Sequence, residues 1–287
     1  MKRAGKIVRK SGAIAIATAA ALLVLLTWWG GRQALAGHGH GDPGGALTGC
    51  EVLRGAAANL RSALQAAQAG ANGGLSNQMW GTLVARDGTV CAVAFSGPDA
   101  GAQWLLSRVI SAQKANTANG LSLAKFAIST ANLFSAVNPG GSLYGLQHSN
   151  PVDPAVAYRG NSKLFGTSHD PMIGFKIGGV NVFGGGVALY DKDKGVVGGL
   201  GVSGDTSCAD HNVAWRTRAN LGLDFLATNG AGGVNSVADP DRPDNIIYDV
   251  TNVPGFQIGQ SAGGFGHAAC TPDNGSQADS ATLPKVE

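Results

Sequence analysis

The sequence predicts an α+β fold in which an antiparallel sheet is covered by helices. Three observations carry that prediction: two hairpin signals, helical apolar periodicity around them, and a turn-rich composition of 45 Gly and 16 Asp against two Glu among 287 residues. Asp favours turns and caps where Glu favours helix interiors, so the acids point to many short connections.

The elements follow in order. Over 50–69, Leu53, Ala57, Leu60, Leu64 and Ala67 recur every three or four residues, with Arg54 and Arg61 on the other side. This is an amphipathic helix, stopped by the glycines at 70–74. Apolar runs at 79–85 and 90–95 flank Arg86-Asp87-Gly88-Thr89, and Asp-Gly between two such runs is a hairpin. Residues 104–119 and 121–137 read as two helices, the second with Leu123, Phe126, Ala127, Thr130, Phe134 and Val137 on one face, ended by Pro139-Gly140-Gly141. The stretch 138–181 has little periodicity and reads as ordered loop. Strands at 182–190 and 196–202 are joined by Asp191-Lys192-Asp193-Lys194-Gly195, and the glycines inside them require something packed closely on their backbone. A helix at 207–221 follows, with Asp205, Thr206 or Ser207 as its N-cap. Residues 226–287 are mainly Gly, Asp, Asn and Pro and read as a partly ordered tail, with one short strand candidate at 246–250. The order of helix, hairpin, helices, hairpin and helix gives the sheet-and-helix sandwich.

The N-terminus sets the compartment. Lys2, Arg3, Lys6, Arg9 and Lys10 precede an uncharged run from 12 to 29, and Ala34-Leu35-Ala36 offers a signal-peptidase site before Gly37. Residues 1–36 are therefore expected to be a signal peptide and 37–49 a linker. The competing reading is an uncleaved anchor, since about 18 apolar residues is the lower edge of what spans a bilayer. In both readings the body is exported, to a periplasmic or extracellular location. Removing residues 1–36 takes away six Lys+Arg and no acid, which leaves 15 Lys+Arg against 18 Asp+Glu, a net charge of −3. No nucleic-acid partner is expected of such a surface.

Cys50, Cys91, Cys208 and Cys270 remain, an even set that an oxidising compartment allows to pair. Three connectivities are available, and Cys50–Cys91 with Cys208–Cys270 keeps each pair within one half of the chain. No zinc-type Cys or His spacing appears.

Several motifs bear on chemistry. Gly199-Leu200-Gly201-Val202-Ser203-Gly204 is a literal GxGxxG, with Asp224 twenty residues beyond Gly204. The preceding strand belongs to a hairpin instead of a crossover, and an exported protein meets no dependable nicotinamide pool, so the dinucleotide reading fails. Asp210 and His211 sit just inside the start of the 207–221 helix, where an anion can be received and an imidazole can ligate iron or move protons; the plainer reading is a capped helix with a surface histidine. Lys114 lies among small and amide residues and is read either as a grip for a propionate or phosphate or as a solvated lysine. His148 and His169 fall in the loop stretch and His267 near Cys270, each ordinarily a surface residue. His38 and His40 follow the expected cleavage site. There is no GxSxG elbow, and the cysteines are expected in disulfides.

Taken together, Leu143-Tyr144-Gly145-Leu146-Gln147, the glycine strand from Phe183 to Leu189, the strand from Val197 to Gly204, Ala209-Asp210 and Lys114 within Ala112-Gln113-Lys114-Ala115 resemble the GlcG/HbpS family of haem-binding proteins over about residues 52–222. The resemblance implies a profilin-like α/β sandwich, with an antiparallel sheet of about five strands covered by helices, within a domain at 50–225. It also implies homo-oligomers and, in exported members, binding of haem or iron linked to sequestration or to redox or haem sensing, with a membrane sensor as partner. Ala209 departs from the glutamine the family often carries there, the 150–180 stretch is longer, and the cysteines and tail are additions.

Haem needs an apolar slot, an axial donor and groups for its propionates. The expected set is His211 or His148 as axial donor and metal ligand, with Lys114, Arg216 and Asp210 around the cofactor. The alternatives are an enzyme acting on a small hydroxy acid, with Asp210 and His211 as acid and base and Lys114 on the carboxylate, and a structural oligomer with a vestigial pocket.

Overall fold

The computed structural model describes residues 47–251, 259–270 and 275–287. The expected signal peptide, most of the linker, and His38 and His40 lie outside the described residues. Helix α1 (Arg54–Gln68) buries the leucine side of its periodicity through Leu60 and Leu64. Strands β1 (Trp80–Ala85) and β2 (Val90–Phe95) form the first hairpin. Its turn is held by Asp87, whose Oδ1 accepts the Thr89 N–H at 3.0 Å. Helix α2 (Ser107–Leu121) follows.

The second helix expected at 121–137 does not form. The chain there makes the short strand β3 (Phe126–Ala127) and one 3-10 turn over Thr130–Leu133. Hydroxyl side chains win the competition for the backbone. Ser122 Oγ accepts the Ile128 N–H at 3.1 Å, while Thr130 Oγ1 donates to the Phe183 carbonyl at 2.7 Å and accepts the Gly186 N–H at 2.8 Å. The expected stripe is split as a result: Ala127 and Val137 are buried while Leu123 and Phe126 are exposed, and Ile128 and Leu133, which lay outside the stripe, are buried in its place.

The long loop stretch carries two single-turn helices, α3 (Leu146–Ser149) and α4 (Pro154–Ala157). It is anchored by the buried Asp170, which pairs with Arg108 of α2 and also accepts the N–H groups of Gly166 and Met172. Strands β4 (Gly186–Asp191) and β5 (Gly195–Ser203) form the second hairpin, and helix α5 (Ser207–Asn220) follows with Thr206 as its N-cap.

The four strands make one antiparallel sheet in the order β2-β1-β5-β4. Helices α1 and α5 cover one face, around Leu83, Leu200 and Val202. On the other face α2 lies against the sheet, with Thr82 and Ser111 hydroxyls 2.7 Å apart. Gly199 and Gly201 explain how closely: a Cβ on either would collide with the backbone carbonyl of Ala115 or Ser111 in α2. The GxGxxG run is thus a packing surface for a helix, not a phosphate loop.

About five strands were expected in this sheet, and it has four. The strand candidate at 246–250 contributes only its end, as β7 (Val250–Thr251), which pairs with β8 (Gln260–Ser261) in a separate two-stranded ribbon after β6 (Gly232–Gly233) has paired with β3. The segment expected as a loose tail packs on the body over its described residues. Leu226, Ala231, Leu283 and Val286 bury against Trp215 and Tyr190, and Asp244 makes a two-pronged ion pair with Arg218 at 2.6 and 3.0 Å, both side chains fully buried. A short helix, α6 (Ser276–Ser280), lies near the end of the chain. Both disulfides pair as the half-chain rule expected, Cys50–Cys91 and Cys208–Cys270. Among the described residues, no helix is long and apolar enough to cross a membrane.

Candidate functional site

Lys114 and Asp210 come together between α2 and α5. The Lys114 ammonium donates to Asp210 Oδ2 at 2.7 Å and to the Val202 carbonyl at 3.0 Å, and it lies 4.4 Å from the centre of the Phe183 ring. The second oxygen of Asp210 accepts the Asp205 N–H at 2.8 Å. Neither side chain reaches solvent. Burial pushes both groups toward their neutral forms, the carboxyl up to about 6, while their mutual attraction resists the shift. Asp205 completes the corner by accepting the N–H groups of Leu75 and Asn77, which fastens the loop after α1 to the start of α5.

His211 is adjacent in sequence but belongs to a different network. Its Nε2 lies 3.0 Å from Asn245 Oδ1, and the Asn245 amide is oriented by donating to the Ser280 carbonyl. The Asn245 oxygen can only accept, so we assign the proton to Nε2; the Ile246 N–H, 3.2 Å from Nε2 and 2.9 Å from Asn245 Oδ1, then goes to the same oxygen, and Nδ1 is left as a bare lone pair with no partner among the described residues. Burial lowers the imidazole to about 4, so it is neutral.

The expected residues are therefore not one cradle. Lys114 is engaged by Asp210 and closed off, where a propionate grip needs a free ammonium. His211 is enclosed by α5 and the C-terminal segment, where the plainer reading had put it at the surface. Arg216 turns toward the loop after α1, donating to Asn72 Oδ1 and the Ala71 carbonyl. His148 is exposed on α3. Asp210 and His211 do not contact as an acid–base couple among the described residues, and three grooves of about 610, 310 and 500 Å³ are lined by other side chains. The buried charges of Lys114 and Asp210 are tolerated because each is paired with the other.

An open ligand-sized space lies elsewhere. A groove of about 500 Å³ runs between α1, β2 and the loop at 166–173. Ala57, Ala58 and Leu60 form one wall, Ala92 and Val93 the floor, and Ile173 and Ser168 the far side. Arg61 stands in it, its guanidinium 4.4 Å from the centre of the Phe95 ring and one nitrogen donating to the Gly97 carbonyl at 3.0 Å. Exposed His169 follows the lining residue Ser168 in the chain, with its Nδ1 3.2 Å from Ser168 Oγ. Apolar walls with one cation among them suit a flat apolar ligand bearing an anionic group. Sequence reasoning passed over this groove. Its signal was present, however, in two small residues of α1, half-buried Ala57 at the edge of the apolar stripe and exposed Ala58 one turn before Arg61, where longer side chains would have filled the space.

A family model described as haem degrading protein HbpS-like matches residues 57–218, from the first turn of α1 into the last turn of α5. The chain is similar to two solved structures, each 25% identical to it. One is a crystal structure of a PduOC:heme complex, covering 57% of this chain and 89% of that chain at a TM-score of 0.38. The other is Klebsiella pneumoniae protein ORFY, of family model DUF336, covering 58% and 88% at a TM-score of 0.38. No curated protein matches.

Proposed function

Because the chain belongs to the HbpS-like family of haem-degrading proteins, we propose that it is an exported haem-binding protein and that the groove beside α1 is its haem site. The observation that carries the proposal is the groove's make-up: apolar walls from Ala57, Leu60, Val93 and Ile173, with Arg61 within them. The buried set of Lys114, Asp210 and His211 does not suit haem, since the Lys114 ammonium is held by Asp210 and both side chains are closed to solvent. The groove does fit it. Arg61 would meet a propionate, and His169 would supply an imidazole nitrogen to the iron. Haem bound there would supply an iron centre that changes oxidation state, which suits sequestration and redox or haem sensing. Iron binding, homo-oligomers and a membrane sensor as partner belong to the same reading. Two disulfides and the signal-like N-terminus support export.

Haemin titration of the purified chain tests this. A Soret band saturating at one equivalent is expected. Ala58→Trp, which fills the groove from an exposed helix position, and Arg61→Glu should each weaken binding about tenfold or more, a loss of roughly 1.4 kcal/mol, while His211→Ala and His148→Ala leave the band in place. No band at stoichiometric haemin would overturn haem binding. Loss in His211→Ala with Ala58→Trp unaffected would move the site into the interior.

A further inference from the structure

The start of α5 holds a second cluster that haem binding does not use. Sulfur atoms of Cys208 and Cys270 and a ring nitrogen of His267 all lie within 4.8 Å of one another. The two sulfurs are joined as a disulfide. His267 is set up as a donor: its Nδ1–H donates to the Ala268 carbonyl at 2.6 Å, so Nε2 carries the lone pair and accepts the Ser207 hydroxyl at 2.7 Å. Ser207 Oγ in turn accepts the Gly184 N–H at 2.6 Å, which fixes the direction of that chain of bonds. An imidazole whose other nitrogen is held by a carbonyl is oriented as metal-binding histidines are. Burial keeps it neutral, the form that ligates.

The sulfurs are equally placed. Cys208 is the second residue of a 14-residue helix, whose positive N-terminal end favours a thiolate, and its own N–H points at Cys270 Sγ from 3.2 Å. Cys270 is partly exposed while Cys208 is fully buried. An external thiolate therefore reaches Cys270 and expels Cys208 toward the helix start, where the leaving thiolate is stabilised.

We propose that the Cys208–Cys270 disulfide masks a Cys2His site for a zinc-like divalent cation, unmasked by a dithiol reductant. The dithiol gives two electrons and two protons to the disulfide and is itself oxidised to a disulfide, leaving two protein thiols. The cation then displaces both thiol protons and takes two thiolates and His267 Nε2, with water in the fourth position. Thiolate and imidazole donors suit zinc over calcium or magnesium. The other disulfide serves as an internal control, because no histidine among the described residues clusters with Cys50 and Cys91.

The test uses cobalt(II) as the spectroscopic probe on the full chain, oxidised and after phosphine reduction, with circular dichroism to follow the fold. One equivalent should bind to the folded reduced chain, giving thiolate-to-cobalt charge-transfer bands and tetrahedral d–d bands that zinc removes. The Cys50→Ser/Cys91→Ser variant should keep them, Cys208→Ser/Cys270→Ser should lose them, and His267→Gln should weaken binding about tenfold or more. Equal binding by the oxidised chain overturns the proposal. So do bands that survive in Cys208→Ser/Cys270→Ser, the same spectrum from the urea-unfolded reduced chain, no bands on reduction, or unfolding on reduction.

Discussion

At the scale of single residues, the interior of this protein is decided by a few buried titratable groups whose shifts oppose one another. His211 is lowered to about 4, so the unfolded chain binds the extra proton between the ordinary histidine range and that value; its contribution is present at neutral pH and lost on acidification. Asp210 is raised to about 6, so the folded chain is the one that takes up a proton first; its contribution is present at low pH and lost as pH rises through about 6. The two contributions have opposite signs between pH 6 and 4. Separating them exposes the signs. His211→Gln should make the protein gain urea resistance as pH falls from 6.5 to 4, and Asp210→Asn should make it lose resistance over the same window. Parallel, flat profiles for both variants would show that neither group is shifted. Neither effect was legible in sequence, where Asp210 and His211 read as neighbours; the helix turns them to different partners, Lys114 for one and Asn245 for the other.

At the scale of elements, periodicity and turn chemistry were good guides wherever the backbone bonded to itself. Helices α1, α2 and α5 and the first hairpin stand close to their expected limits, while in the second hairpin β4 starts at Gly186, four residues later than expected. The failure at 121–137 came where Ser122 and Thr130 offered the backbone other partners, an outcome that apolar spacing cannot report. The glycine strands carried a correct warning of close approach without saying what approaches. That partner, α2, sets a sharp contrast between two glycines. Gly201→Ala drives a methyl into the Ser111 carbonyl and should cost about 1–3 kcal/mol or more. Gly55→Ala, in the exposed first turn of α1 with open space around it, should stabilise by about 0.5–1 kcal/mol. Urea melts of the two variants check both signs.

At the scale of the whole molecule, the C-terminal segment is part of the core. It covers Trp215 and Tyr190, supplies Asp244 to Arg218 and Asn245 to His211, and places Cys270 and His267 over the start of α5. A chain truncated after Asp224 should fail to fold, because it leaves the Arg218 charge buried or forces it out along with an apolar face; Asp244→Ala alone should cost about 3–5 kcal/mol. Soluble expression and the melting temperature of the two variants distinguish this from a dispensable tail, which would leave both unchanged. The sequence by itself determined the α+β class, the strand pairs within each hairpin, a disulfide pattern that held, and the family resemblance, because all of these rest on patterns spanning a turn, an element or a local spacing. Only the tertiary structure decided that Lys114 meets Asp210 across 96 residues of chain, that a polar helix is enclosed, and that an apolar groove containing Arg61 lies beside α1. A polar side chain reads alike in sequence whether it faces water or a distant partner, and its fate is set by the desolvation cost that only the finished packing imposes or relieves.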